Sequence, residues 1–451
     1  VSAAGDSPWS PDRAERHLRS LELFGMRFGL DRMRRMMTVL GSPERSFETI
    51  HVVGTNGKTS TTRMIAAILE RHGLRTGSYV SPHLVSYTER VQVAGHDIET
   101  HAFASAIARA AWAADRVNRT LAEDDHVTQF ELLTAAAFWE LAQREVQVVV
   151  VEAGLGGRFD ATNVICSKVV ALTNVGLEHT RWLGPTVKDI AAEKLAVLGE
   201  GSVLAIGADM PPGVLDLARA AVAERGGKLV VAESAPVDLT MGARGSFQRE
   251  NFALAQLAAG AYLSGVGVEM RDSEVRAAAA LTSVPGRMQV VAHDPFTVVD
   301  GAHNPAAVEA MAASLPELLA GRPSALVLGV LDDKDAAGML ARLLPSFERA
   351  WLTAPPSPRA LSPATLSSLA SQLGFEHAEC EPHPTRALAA AQSWARTREG
   401  GGAVLATGSV YLVGDLLAHA RELGLRAGLG AEGQVEGERH ARDIEERGGA
   451  V

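Results

Sequence analysis

The sequence predicts an α/β fold built around a mainly parallel sheet, on three observations. Short apolar runs alternate with helix-like stretches through most of the chain, the pattern left when strands and crossover helices take turns. At 451 residues the chain exceeds one ordinary domain, so two are expected. The stretch "HVVGTNGKTSTTRMIAAIL", His51 to Leu69, carries a strand-like run through a glycine-rich turn into a helical pattern.

Taken in order, the strand-like runs are 50–53, 146–151, 169–175, 202–207, 297–300, 325–330 and 403–408. Ala- and Leu-rich stretches at 101–119 and 249–264 suit helices between them. Pro285-Gly286 breaks a long Ala-rich segment, which sets a first domain over 1–284 and a second over 285–424. After Ala431 charge and glycine dominate and few apolar residues remain to bury, so 425–451 is expected to be a disordered tail.

Composition removes several classes. Hydrophobic residues are 47% and charged residues 21%, a globular balance. Acidic residues outnumber Lys and Arg by 53 to 43, net −10, so no broad cationic surface for nucleic acid is expected. Cys166 and Cys380 lie far apart without CxxC or Cys/His spacing, which argues against a zinc or disulfide framework and suits a reducing cytoplasm. The first residues are polar where a signal peptide is apolar, and no apolar run approaches a membrane span. A cytoplasmic protein without membrane partners is the expectation.

Gly54-Thr55-Asn56-Gly57-Lys58-Thr59 leaves two residues between its first glycine and the Gly-Lys pair, where the common P-loop has four. The physics is unchanged. Gly54 and Gly57 let the backbone turn its N–H groups inward, Lys58 can neutralise phosphate oxygens, and the helix starting at Thr59 adds its positive end. Such a loop needs an acid on a neighbouring strand to organise Mg2+, and the run 146–151 ends in Glu152. The "AGLGGRFDATN" that follows has Phe159 where a dinucleotide fingerprint has its third glycine, which argues against a nicotinamide cofactor. The run 169–175 leads into "GLEHT", exposing Glu178 and His179 at the same presumed carboxyl edge, where ligands of open α/β sheets collect. Alone His179 reads as a surface histidine; beside a P-loop and Glu152 it reads as a metal ligand.

These stretches, with "SPHLVSYTERVQV", "TQFELLTAAAF", "TNVGLEHTRWLG", "AAEK", "PGRMQV", "VDGAHNP", "LDDKD" and "TGSVYLVGD" in this order, resemble folylpolyglutamate synthases and bifunctional dihydrofolate synthases of the Mur ligase superfamily. The resemblance implies a P-loop ATPase domain followed by a smaller Rossmann-like domain, with ATP in the cleft between them. It implies an ATP-dependent amide ligase: a pterin carboxylate takes the γ-phosphate as an acyl phosphate, and the amino group of L-glutamate then displaces phosphate. ATP, L-glutamate, dihydropteroate or a reduced folate would be its small-molecule partners, and a monomer is expected.

By the same resemblance, one Mg2+ is held near Ser81 and Glu152 and a second by His179, while Lys58 and the loop amides grip the β- and γ-phosphates. Thr59 or Ser60 contacts phosphate or Mg2+. Lys194 matches a lysine that many relatives carry as a carbamate, although Leu195 and Ala196 depart from the residues that usually follow it. Asn251, Arg287 and Asp300 fall at nucleotide-binding positions and His303 near the phosphates; Phe247 stands where most relatives have His. Lys334, Asp335, Ser409 and Tyr411 are candidates for the glutamate side, or polar loop residues that anchor turns. Thr128, Phe130 and Asp160 would line a dihydropteroate pocket, with Phe130 equally readable as core on one face of an amphipathic helix. The alternatives are a folylpolyglutamate synthase alone, or a Mur-type ligase for another acid. The cell-wall members usually carry an extra N-terminal domain, whereas only roughly 45 residues precede the strand feeding this loop.

Overall fold

The computed structural model describes residues 9–21, 29–236 and 238–422. They divide into two compact units: everything up to 236 with Glu250–Ala278, and Asp238–Arg249 with 279 onward. The division expected at 284/285 therefore falls at 278/279, and a dozen residues upstream join the second unit. The division also cuts the helix Ser246–Gly265, so Pro285-Gly286 marks the end of no single helix; the preceding one, Asp272–Leu281, stops earlier. The expected tail lies outside the described residues.

The first unit holds eight strands: β1 (Glu48–Val53), β2 (Thr76–Tyr79), β3 (Val91–Val93), β4 (His96–Asp97), β5 (Val148–Glu152), β6 (Val169–Leu172), β7 (Val203–Ile206) and β8 (Lys228–Val231). Their order is β4-β3-β2-β5-β1-β6-β7-β8, parallel except for the hairpin strands β3 and β4. Every residue of β5 and β6 is buried. A parallel strand covered on both faces tolerates an unbroken apolar run, which is why "VVVV" reads as a strand without alternation.

One face is covered by the helices Thr100–Asn118 and Gln129–Gln143, whose Ile107, Phe138 and Leu141 pack with Val149 and Val151. The other packs Val170, Leu172 and Leu204 against Ile190, Leu195 and Val214. Gln129–Gln143 is buried on nearly every side, from Leu132 through Phe138, so its expected amphipathic face does not exist; it lies between the sheet and further helices.

Register places the site. Val52 pairs with Glu152 and Val53 with Leu172, so β5, β1 and β6 end level and their following loops emerge side by side. The chain crosses β1 between β5 and β6, making β1 the switch point at whose carboxyl end a ligand crevice opens.

The second unit has β9 (Gln289–His293), β10 (Phe296–Val299), β11 (Ser324–Leu328), β12 (Arg349–Leu352), β13 (Ala378–Cys380) and β14 (Ala403–Thr407) in the order β13-β12-β11-β14-β10-β9. Only β9 runs antiparallel. Its core joins Val298, Leu326, Leu328 and Leu405 to Met339, Leu340 and Leu366, with Phe247 packed on it. Among the described residues no helix is long and apolar enough to cross a membrane.

Candidate active site

The loop after β1 is shaped by the loop after β6. Gly54 and Gly57 take φ of 153° and 83°, and a Cβ on either would collide, with Thr173 Oγ1 at Gly54 and Asn251 Oδ1 at Gly57. Both need glycine for conformation and for space. Asn56 is pinned by Asn174, donating N–H to its Oδ1 at 2.9 Å, and its carbonyl accepts from Thr173 Oγ1 at 2.6 Å. Thr55 N–H donates to the Asn174 carbonyl at 3.0 Å. Lys58 opens the helix Lys58–Arg71, and its ammonium folds over the turn onto the carbonyls of Gly54 and Thr55 at 3.1 and 3.0 Å.

Thr59 and Ser60, equivalent in sequence, part here. Thr59 Oγ1 lies 3.0 and 2.9 Å from the two Glu152 oxygens and donates its proton to that carboxylate, while Ser60 is buried. Ser81 N–H donates to Glu152 Oε2 at 3.1 Å. Glu152 and Thr59 thus bring hard oxygens together at the mouth of the loop, with the Ser81 backbone bonded to the carboxylate, and those oxygens are donors that fit Mg2+. Among the described residues no three His, Cys, Asp or Glu side chains converge, so a metal here would complete its shell with hydroxyl, phosphate and water oxygens. His179 follows β6 at φ 50°, its Nε2 3.5 Å from Glu178 Oε1.

Lys194, in the helix Val187–Leu195, is buried and donates to the Gly54 carbonyl at 2.7 Å. Burial, and next the charge of Lys58, pull its pKa down to about 7, against the opposing charges of Glu178 and Asp160. Lys58 and Lys194 therefore clasp one carbonyl from two helices.

Thr128 caps Gln129–Gln143 in a reciprocal box: its hydroxyl accepts from Glu131 N–H and donates to Glu131 Oε2. Asp160 accepts from Leu155 N–H at 2.7 Å, Thr162 N–H at 3.0 Å and the Thr162 hydroxyl. Burial raises its pKa and these bonds oppose that. Both polar groups are thus engaged by their own loops. Phe130, half-buried, sets its ring against Gly154, beside Asp160.

In the second unit Arg287, Asp300 and His303 come together. Asp300, buried, accepts from Met288 N–H at 2.8 Å and Ala302 N–H at 2.7 Å; burial raises its pKa and the Arg287 charge lowers it. The Arg287 guanidinium lies against Gly301 and donates to the Gly286 carbonyl at 3.1 Å. His303 Nδ1 donates to the Gly301 carbonyl at 2.9 Å. Lys334 pairs with Asp333 at 3.3 Å. Asp335 caps the helix Ala336–Leu343 through Gly338 N–H, and Ser409 Oγ accepts from Tyr411 N–H, which are turn-anchoring contacts.

Sequence reasoning passed over Arg32, His51, Thr162, Thr173 and Asn174. Arg32, buried, sends Nε to both Glu131 oxygens at 3.0 and 3.1 Å and Nη1 to Asp125 at 3.0 Å. A signal existed: Arg32, Met36 and Leu40 share one apolar face at helical spacing.

A phosphate-loop helix with a carboxylate on the adjacent strand, joined in one chain to a second parallel α/β unit, defines a nucleotide-dependent ligase of the Mur type. Residues 52–211 match the family model "Mur ligase middle domain" and 286–410 the model "Mur ligase, glutamate ligase domain". The folylpolyglutamate synthase of Lacticaseibacillus casei is 33% identical over 74% of this chain and 84% of its own length. The dihydrofolate synthase/folylpolyglutamate synthase of Escherichia coli is 33% identical over 79% and 84%. The solved structure of Mycobacterium tuberculosis folylpolyglutamate synthase complexed with ADP superposes with a TM-score of 0.84 at 30% identity, covering 92% of this chain and 98% of that one. The chain belongs to the dihydrofolate synthase/folylpolyglutamate synthase family. It is an ATP-dependent carbon–nitrogen ligase.

Proposed function

We propose that this chain joins L-glutamate both to dihydropteroate and to reduced folates, acting as dihydrofolate synthase and folylpolyglutamate synthase. The observation that carries the reading is the Thr59, Glu152 and Ser81 cluster at the mouth of the Lys58 loop, in a chain whose second unit matches a glutamate ligase domain. Its relatives' names supply the two activities.

The acceptor's carboxylate oxygen attacks the γ-phosphorus and the bond to ADP breaks; the neutral amino group of glutamate then attacks the acyl carbon and gives up a proton, and phosphate leaves with the carbon–oxygen pair. Mg2+, when bound at Glu152 and Ser81 and at His179, offsets the repulsion between carboxylate and triphosphate. Lys58 and the N–H groups of Gly54 to Gly57 hold the β- and γ-phosphates, Thr59 orients Glu152, and Asn251 keeps the turn at Gly57. Arg287 and Asp300 serve the nucleotide, and His303 the phosphates. Lys334 serves the incoming glutamate, with Asp335 and Ser409 fixing the loops around it. Phe130 offers a ring face to the pterin while Thr128 and Asp160 shape its pocket.

Lys194 acts as a carbamate: its neutral amine attacks CO2, a proton leaves, and the resulting anion faces the phosphate loop. A pKa near 7 supplies the neutral amine that this step needs. The enzyme works as a cytoplasmic monomer on small molecules.

The test is ADP release with ATP, Mg2+ and L-glutamate, comparing dihydropteroate, tetrahydrofolate and no acceptor, with Lys58→Ala as control. ADP that depends on either pterin and disappears in the variant is expected. Activity with tetrahydrofolate alone would remove the first half of the reading, and activity with neither would remove both.

A further inference from the structure

His51 is a costly residue for its place. It lies inside β1, between Ile50 and Val52, three residues before the phosphate loop, and is wholly buried. Its ring is neutral, since burial drives its pKa down to about 3. Its Nδ1 is buried with no hydrogen-bond partner among the described residues. A buried polar atom left unpaired costs stability, and a β-branched aliphatic residue, as at positions 50, 52 and 53, avoids that cost.

What the imidazole obtains is a single bond, from Nε2 to Thr162 Oγ1 at 2.9 Å. The Thr162 hydroxyl has one proton and directs it to Asp160 Oδ1. It must therefore accept from His51, which fixes the Nε2–H tautomer and puts the lone pair on the unpartnered Nδ1. Asp160 in turn gathers the N–H groups of Leu155 and Thr162. Gly154, beside that carboxylate, meets the Phe130 ring so closely that no Cβ fits between them.

We propose that His51 is a positioning residue for the acceptor pocket, acting through Thr162 and Asp160 on the loop that faces Phe130. It rests on the reading of Phe130 and Asp160 as that pocket. The chain of bonds ties the acceptor loop to the strand that carries the phosphate loop, so a carboxylate held by one is kept in register with a phosphate held by the other. Such registration matters because displacements of an ångström at a reacting pair are costly in rate.

The test measures KM and kcat for dihydropteroate, tetrahydrofolate and ATP in the full-length chain carrying His51→Val, Thr162→Val, both, or His51→Gln. Loss of the neutral His51–Thr162 hydrogen bond predicts a KM for the pterins raised by up to about tenfold, with the KM for ATP little changed and no fall in melting temperature for His51→Val. The double variant should be no worse than either single one, and His51→Gln, which retains a donor, should recover most of the loss. Additive losses, or a uniform fall in all parameters together with stability, would overturn the proposal. Asp160→Asn separates the two readings: a normal pterin KM there removes the pocket itself, whereas a raised one beside a normal Thr162→Val removes only the role of His51. Should His51→Val not fold, Thr162→Val and His51→Gln decide alone.

Discussion

A lysine buried beside another lysine has two ways to lower its free energy: surrender its proton or acquire a counter-charge. Lys194 faces that choice at the Gly54 carbonyl. Its folded pKa is about 7 against an ordinary 10.5, so between those values the unfolded chain binds more protons than the folded one and stability rises with pH. Below about pH 7 the full penalty is present, and above 10.5 it is gone. Lys194→Met is therefore expected to raise the urea midpoint at pH 7, to lose that advantage as pH climbs toward 10.5, and to abolish ligation at every pH. A midpoint unchanged at pH 7 would mean that Lys194 carries no such penalty. At this scale the sequence was legible where chemistry is local. Gly54, Gly57 and Lys58 suggest a phosphate loop by residue type, at a spacing two residues shorter than the common one, and Glu152 stands out by ending an apolar run. Thr59 and Ser60 could not be separated, because their difference is a matter of helix phase relative to a carboxylate 93 residues away.

Elements brace one another across distances that no local pattern records. The helix Asp31–Leu40 supplies Arg32 to Glu131, and the helix Pro11–Ser20 offers the Leu18 carbonyl to Gln129 Nε2 at 2.7 Å. Both contacts fall on the first turn of Gln129–Gln143, either side of Phe130. The helices Pro11–Ser20 and Asp31–Leu40 thus brace the turn that carries Phe130. Removing Arg32 leaves Glu131 as a buried carboxylate without its main counter-charge, a loss of about 3–5 kcal/mol. Removing both partners leaves no buried charge unpaired between them, only the more exposed Asp125 and the Thr128 cap, so Arg32→Met with Glu131→Met should cost less than the sum of the single changes, measured by chemical denaturation. Strictly additive costs would show that the pair does not act as a unit. The same logic explains which strands were readable. β5, buried on both faces, is an unbroken valine run, whereas β2, "TGSY", is equally buried but sets Gly and Ser between its two strand formers, Thr and Tyr. Pairing with β3 and β5 holds that weak centre in the sheet.

For the whole molecule, composition draws a line at Pro285-Gly286, beside the start of the matched glutamate ligase domain at residue 286, whereas packing draws another at 278/279. Packing also takes Asp238–Arg249 into the second unit ahead of a return to the first. Phe247 is one of the residues that hold this segment there. It lies against the core of Val298, Leu326 and Leu405, next to Ser246, whose N–H donates to Ser314 Oγ at 3.0 Å. Replacing a half-buried phenylalanine by alanine removes apolar contact worth about 2 kcal/mol. If Phe247 belongs energetically to the second unit, that loss should appear there alone. Hydrogen exchange on Phe247→Ala is expected to accelerate in β10, β11 and β14 while β1, β5 and β6 keep their protection, because each sheet has its own core. Protection lost equally in both sheets would mean that the two units unfold as one. Protection lost only in the first would return 238–249 to the unit in which the sequence had put it.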